Sequence, residues 1–166
     1  MYYLKLVFLV IIVLLIQISI LDVYTFDRVH IDLMTLLVIV IAFKKGAEKG
    51  AVFGFLVGLF YGLFNTLIFG ISAFEFVLVG FVAGQMSTST MMEPAFIKSV
   101  VSGLLTAMSV VFIVIFLKLL NQSADPDGVV LNIALINFVA TTLLFLPLEK
   151  MAAAITGKSK LQHTAS

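Results

Sequence analysis

Few side chains in this sequence could take part in acid–base, nucleophilic or metal chemistry, and those few are scattered. There is no cysteine, which excludes disulfides, thiolate nucleophiles and thiolate metal sites together. The two histidines, His30 and His163, lie near opposite ends of the chain, with no spacing that suggests a shared metal. No Ser/His/Asp arrangement, H-E-x-x-H motif, phosphate loop or paired intramembrane acids occur. Two separate acids remain, Asp32 and Glu75, each near the head of a different apolar stretch. A carboxylate in a first helical turn accepts from free backbone N–H groups and is favoured by the helix dipole. Asp32, close to His30, therefore reads as a helix cap or a polar contact. Glu75, between Phe74 and Phe76, is expected one turn below the outer surface, where water and the helix start stabilise it, or in contact with a partner. A proton relay would need a second buried ionisable group, and no spanning segment offers one at mid-depth. Asn65, Asn132 and Asn137 fall in or near helix ends, and Thr141-Thr142 continues the polar stripe; interhelical hydrogen bonds of about 0.6 kcal/mol each are their expected use. The chain reads as no enzyme, with no cofactor and no metal.

The elements that position these residues are apolar. Hydrophobic residues make up 62% of the 166 and charged residues 11%, and the mean hydropathy is +1.22. A soluble domain devotes roughly a quarter of its residues to charge, so the surrounding solvent is expected to be lipid. The net charge of +1 gives no reason to invoke nucleic acid. Charges and breakers bound six apolar segments, at residues 4–21, 31–43, 47–64, 71–85, 97–120 and 129–148. Spanning about 30 Å of hydrocarbon takes about 20 residues. The second segment is short, rising only about 20 Å, and the fourth is short as well. Both are expected either to extend through flanking residues or to be shielded by neighbouring helices. The first run follows Lys5 and lacks a small-residue cleavage site, so it reads as a retained helix and not a signal peptide.

Charge placement fixes the expected topology. With six crossings and a cytoplasmic N-terminus, Lys5, Lys44, Lys45, Lys49, Lys98, Lys150, Lys158 and Lys160 fall inside, and only Arg28 and Lys118 outside. Fusing the second and third segments would bury Lys44, Lys45, Glu48 and Lys49 in lipid, at about 2.5–3.5 kcal/mol per central charge. The expectation is an all-α integral membrane bundle of six helices over residues 1–156, both termini cytoplasmic, with a flexible tail at 157–166. Asp125-Pro126-Asp127-Gly128 supplies a turn before the last helix, and Pro147 is expected to loosen that helix near its cytoplasmic exit.

Glycine carries the strongest pattern. Gly46, Gly50, Gly54, Gly58 and Gly62 recur every four residues along the third segment, and Gly80 and Gly84 with Ala83 repeat the device in the fourth. Residues four apart share nearly one helix face. In lipid there is little hydrophobic drive between helices, so association relies on the close backbone approach that glycine permits. The ladder is expected to pack the protein's own helices or to receive a partner's helix.

Residues 30–85 resemble the bacterial rod-shape-determining membrane protein family MreD. The resemblance is carried by His30-Ile31-Asp32-Leu33, by Lys44-Lys45-Gly46, and by Gly50-Ala51-Val52-Phe53-Gly54-Phe55-Leu56-Val57-Gly58-Leu59. Asn65, Gly70-Ile71-Ser72-Ala73-Phe74 and Val79-Gly80-Phe81-Val82-Ala83-Gly84 complete it. Residues 131–137 with Pro147 look like the family's closing helix. Ile31 stands where the family often has proline, and Asn65 where it often has aspartate. The resemblance implies a non-enzymatic scaffold of the cell-elongation machinery. It would bind the single-pass protein MreC, and through it connect to MreB filaments and to peptidoglycan synthases, a SEDS polymerase and a penicillin-binding transpeptidase. It also implies a fold similar to the six-helix substrate-binding subunits of energy-coupling-factor transporters, whose small-ligand capture is the alternative function. In that setting Asp32, Asn65, Glu75 and Asn137 are the candidate polar contacts, and the glycines the candidate helix interface.

Overall fold

A computed structural model describes residues 2–17, 32–63, 70–87, 95–120 and 127–156. The described residues form six α-helices and no strand: α1 (Tyr2–Ile16), α2 (Leu33–Lys45), α3 (Ala47–Gly62), α4 (Ile71–Met86), α5 (Ala95–Leu119) and α6 (Asp127–Thr156). Windows of α5 and α6, Ala95–Phe116 and Val130–Ala152, are long and apolar enough to cross a membrane, and only 28% and 22% of them are buried in the protein. The last helix continues past the end of its apolar segment, running through Pro147 to Thr156. A proline at this point removes one backbone donor, yet the helix does not end there.

Helices α3 and α4 run antiparallel, as do α5 and α6, and α2 sits at the centre. Every residue from Met34 to Phe43 is buried, by contacts from α1, α3, α4, α5 and α6. This resolves how so short a helix is accommodated: its neighbours shield it on all sides. Phe43 meets Phe145 of α6 edge-to-face, with ring centroids 6.0 Å apart. Gly46 reverses the chain between α2 and α3 at φ +85°, a conformation that glycine adopts without a Cβ penalty. A Cβ there would meet nothing within 4 Å, so Gly46 is a turn residue and not a rung of the packing ladder.

The next rungs set the tightest seam, α3 against α4. Gly50 lies opposite Gly80, Gly54 opposite Phe76 and Gly58 opposite Ala73, while Gly84 lies against Ala47 and the carbonyl carbon of Gly46. A Cβ on Gly50 would stand 2.5 Å from the Gly80 carbonyl oxygen, and one on Gly58 2.5 Å from the Ala73 Cα. These are backbone atoms that cannot swing aside, so absence of side chains is what allows the contact. Gly62 is buried at the end of the same face. The seam is backbone against backbone.

Candidate functional site

Polar side chains converge at the N-terminus of α2. The first N–H groups of a helix have no partner within the helix, and away from water they need one from elsewhere. Asp32 supplies the cap: its Oδ1 accepts from the Thr35 N–H at 2.9 Å, and the Thr35 hydroxyl donates to its Oδ2. Two other helices serve the adjacent main chain. The Asp32 N–H donates to Asn137 Oδ1 of α6 at 3.0 Å, and the Leu33 N–H donates to Oε1 of Gln17, just past α1, also at 3.0 Å. Asn137 is held in register by its own Nδ2, which donates to the Ile133 carbonyl at 3.0 Å. Gln17, Thr35 and Asn137 are all buried. Three helices are thus fastened at one level by hydrogen bonds that water would make at a surface.

Glu75 of α4 joins this cluster, and here the sequence reading is corrected. Glu75 is 1% exposed, so it is not stabilised by water near an outer surface. Its Oε1 accepts from the Ser109 hydroxyl of α5, and its Oε2 is buried with no hydrogen-bond partner among the described residues. The half-buried Asp32 carboxylate at the head of α2 acts on Glu75 electrostatically. Thr141 follows Asn137 by one turn on the same α6 face. It too is buried, with an Oγ1 that has no hydrogen-bond partner among the described residues.

The α5–α6 seam uses small polar residues where α3–α4 uses glycine. Ser99 donates to the Thr142 carbonyl. Ser102 and Thr106 donate back along their own helix to the carbonyls of Ser99 and Ser102, at 2.7 and 2.8 Å, and Thr142 does the same to Phe138 at 2.7 Å. Gly103 brings the backbone up to Phe138: a Cβ there would stand 2.7 Å from its carbonyl oxygen. Hydroxyls that return to their own helix backbone leave that face free of unmet donors.

Of the candidate polar residues, Asp32, Glu75 and Asn137 are brought together, and Asn65 and His30 lie outside the described residues. Asn132 is exposed. Sequence reasoning missed Gln17, Thr35, Ser109 and Gly103. For α5 a signal existed: Ser99, Ser102, Thr106 and Ser109 recur at intervals of three and four, which is one helix face. No comparable pattern marks Gln17 or Thr35.

The cluster offers carboxylate, hydroxyl and amide oxygens. Among the described residues no group of three or more His, Cys, Asp or Glu could hold a metal ion. Comparison with family models, curated proteins and solved structures finds no match to this chain.

Proposed function

We propose that this chain is a multi-pass protein of the bacterial cytoplasmic membrane, with both termini inside. We further propose that it serves as a non-enzymatic scaffold of the cell-elongation complex, binding an MreC-like single-pass protein. The observation that carries the membrane reading is the inverted distribution of polarity. Phe8, Leu56, Phe96, Leu119, Leu131 and Leu143 face outward, while Gln17, Thr35, Glu75, Ser102 and Asn137 are enclosed. In water such a surface would be an aggregation site; in lipid it is the required one, because only the interior can satisfy polar groups. Charge supports the orientation. Lys44 and Lys45 end α2, Lys44 donates to the Glu149 carbonyl at 3.2 Å, and Lys98 lies within electrostatic range, which gathers cations at one end of the bundle. Asp32 and the buried Glu75 occupy the other.

The scaffold reading is supported by the sequence resemblance over residues 30–85 and by polar contacts that are used to fasten helices to one another. The glycine ladder of α3 is filled by α4, so a partner's helix would meet an outward apolar face instead. The test is to co-express the tagged full chain with a MreC-like protein and purify it in mild detergent. The expected result is a stable complex with the single-pass partner and no small molecule released on denaturation, as read by mass spectrometry. A stoichiometric small ligand without the partner would overturn the scaffold in favour of a transporter-type binding subunit.

A further inference from the structure

Cations gather where α2 ends beside α5 and α6. Lys44 is half-buried, and its Nζ donates to the Glu149 carbonyl at 3.2 Å. An ammonium has three N–H donors, so two more can serve another acceptor. Of the charged side chains acting appreciably on Lys44 among the described residues, Lys45 and Lys98 carry the same sign and only Glu149 the opposite one. The hydrogen bond from Ser99 to the Thr142 carbonyl sets the level of the neighbouring Lys98 against α6. That level is about 10 Å along the helix from Glu149, at about 1.5 Å per residue. Lysine stems turn their charges towards the membrane edge, which brings this one within electrostatic range of Lys44.

What flanks these cations decides which anion suits them. Phe96 and Ile97 directly precede Lys98, Leu146 lies one turn past Thr142, and all three are exposed. A phosphate offers the ammonium groups several strong acceptors, and acyl chains attached to it would cover the apolar side chains. An acidic protein segment would answer the cations alone. Charge complementarity and the apolar flank together fit an anionic phospholipid. We propose that Lys44, Lys45 and Lys98 hold the phosphate headgroup of an anionic phospholipid where α2, α5 and α6 meet, with its acyl chains along Phe96 and Leu146. The site rests on the membrane reading, with this end cytoplasmic, and is independent of any partner protein.

A lipid that binds only the folded chain raises its Tm by mass action, and the rise gives Kd. The purified full chain in a neutral detergent is titrated with phosphatidylglycerol and with phosphatidylcholine of the same acyl chains, and unfolding is followed by circular dichroism. Phosphatidylglycerol should bind about a hundredfold more tightly, at roughly fivefold for each lysine near the surface. Lys45→Gln and Lys98→Gln should each weaken it about fivefold; Lys118→Gln, in the last turn of α5, should not. If a variant does not fold, the parent in about 1 M salt decides the matter, because screening over about 3 Å should erase the preference. Equal binding of the two lipids, or a preference unaltered in both variants or in high salt, would overturn the site. So would the same stabilisation from inorganic phosphate, or lysine-dependent binding of an oligoglutamate peptide in place of the lipid. A Lys45 cysteine that labels from the outer face of a sealed membrane would overturn the topology and the site together; a missing lipid preference with Lys45 inside would overturn the site alone.

Discussion

Replacing Gly58 with alanine tests the tightest seam of the molecule. The new Cβ would stand 2.5 Å from the Ala73 Cα, 2.7 Å from the Ser72 carbonyl oxygen and 2.9 Å from the Ala73 amide nitrogen. All three are backbone atoms of α4, so no rotamer change relieves the overlap. Ordinary contact begins at 3.4 Å, and α3 and α4 must therefore separate locally by about 1 Å, a gap that forfeits a quarter to a half of each pair's dispersion energy. Overpacking of this kind costs about 1–3 kcal/mol. Three backbone overlaps below 3.0 Å put this site in the upper half of that range, about 2–3 kcal/mol. Against it stands the better helix propensity of alanine, about 1 kcal/mol. Repulsion wins by about 1–2 kcal/mol, and Tm should fall by roughly 2–8 °C at about 2–4 °C per kcal/mol for a chain of this size. The assay is thermal unfolding in a mild detergent, with Gly46→Ala as the contrast. That position has open space but φ +85°, so its loss is conformational and should leave the α3–α4 contact intact. The two are separated by a disulfide trap between introduced cysteines at Phe53 and Val79, which should form less readily in Gly58→Ala alone. A Gly58→Ala protein as stable as the parent, or more so, would refute the backbone-to-backbone seam.

Asn137→Ala removes the acceptor for the part-buried Asp32 N–H, so stability should fall by about 1–3 kcal/mol. Asn132→Ala, on the exposed side of the same helix, should change it by less than about 0.5 kcal/mol; the pair is compared by thermal unfolding. Single cysteines introduced into this cysteine-free chain at Lys45, at Asp125 and in the tail at Ser166 should label from opposite sides of a sealed membrane. Lys45 and Ser166 should react from the cytoplasmic face and Asp125 only from the outside; Lys45 and Ser166 on different faces would overturn the six-crossing topology.

Much of the architecture was legible in the sequence because its causes are local. Apolar runs broken by lysine pairs and by glycine mark helices and turns wherever they sit, and α2 to α5 fall within two residues of their expected bounds. Glycines four apart announce a close backbone approach, since a stripe without side chains permits the closest one. The sequence did not say what would approach. Lipid tails and a protein core are equally apolar, so hydropathy alone could not tell that α2 is enclosed by protein while α5 and α6 face outward. The same blindness applied to polar residues. Asp32, Glu75, Ser109 and Asn137 are far apart in the chain, and each had an adequate local explanation as a cap or an ordinary helix residue. Only the packing of α2 among its neighbours puts them at one level and takes water away from them. Helix formation and lipid preference are properties of short segments; the environment of a buried carboxyl is a property of every helix around it.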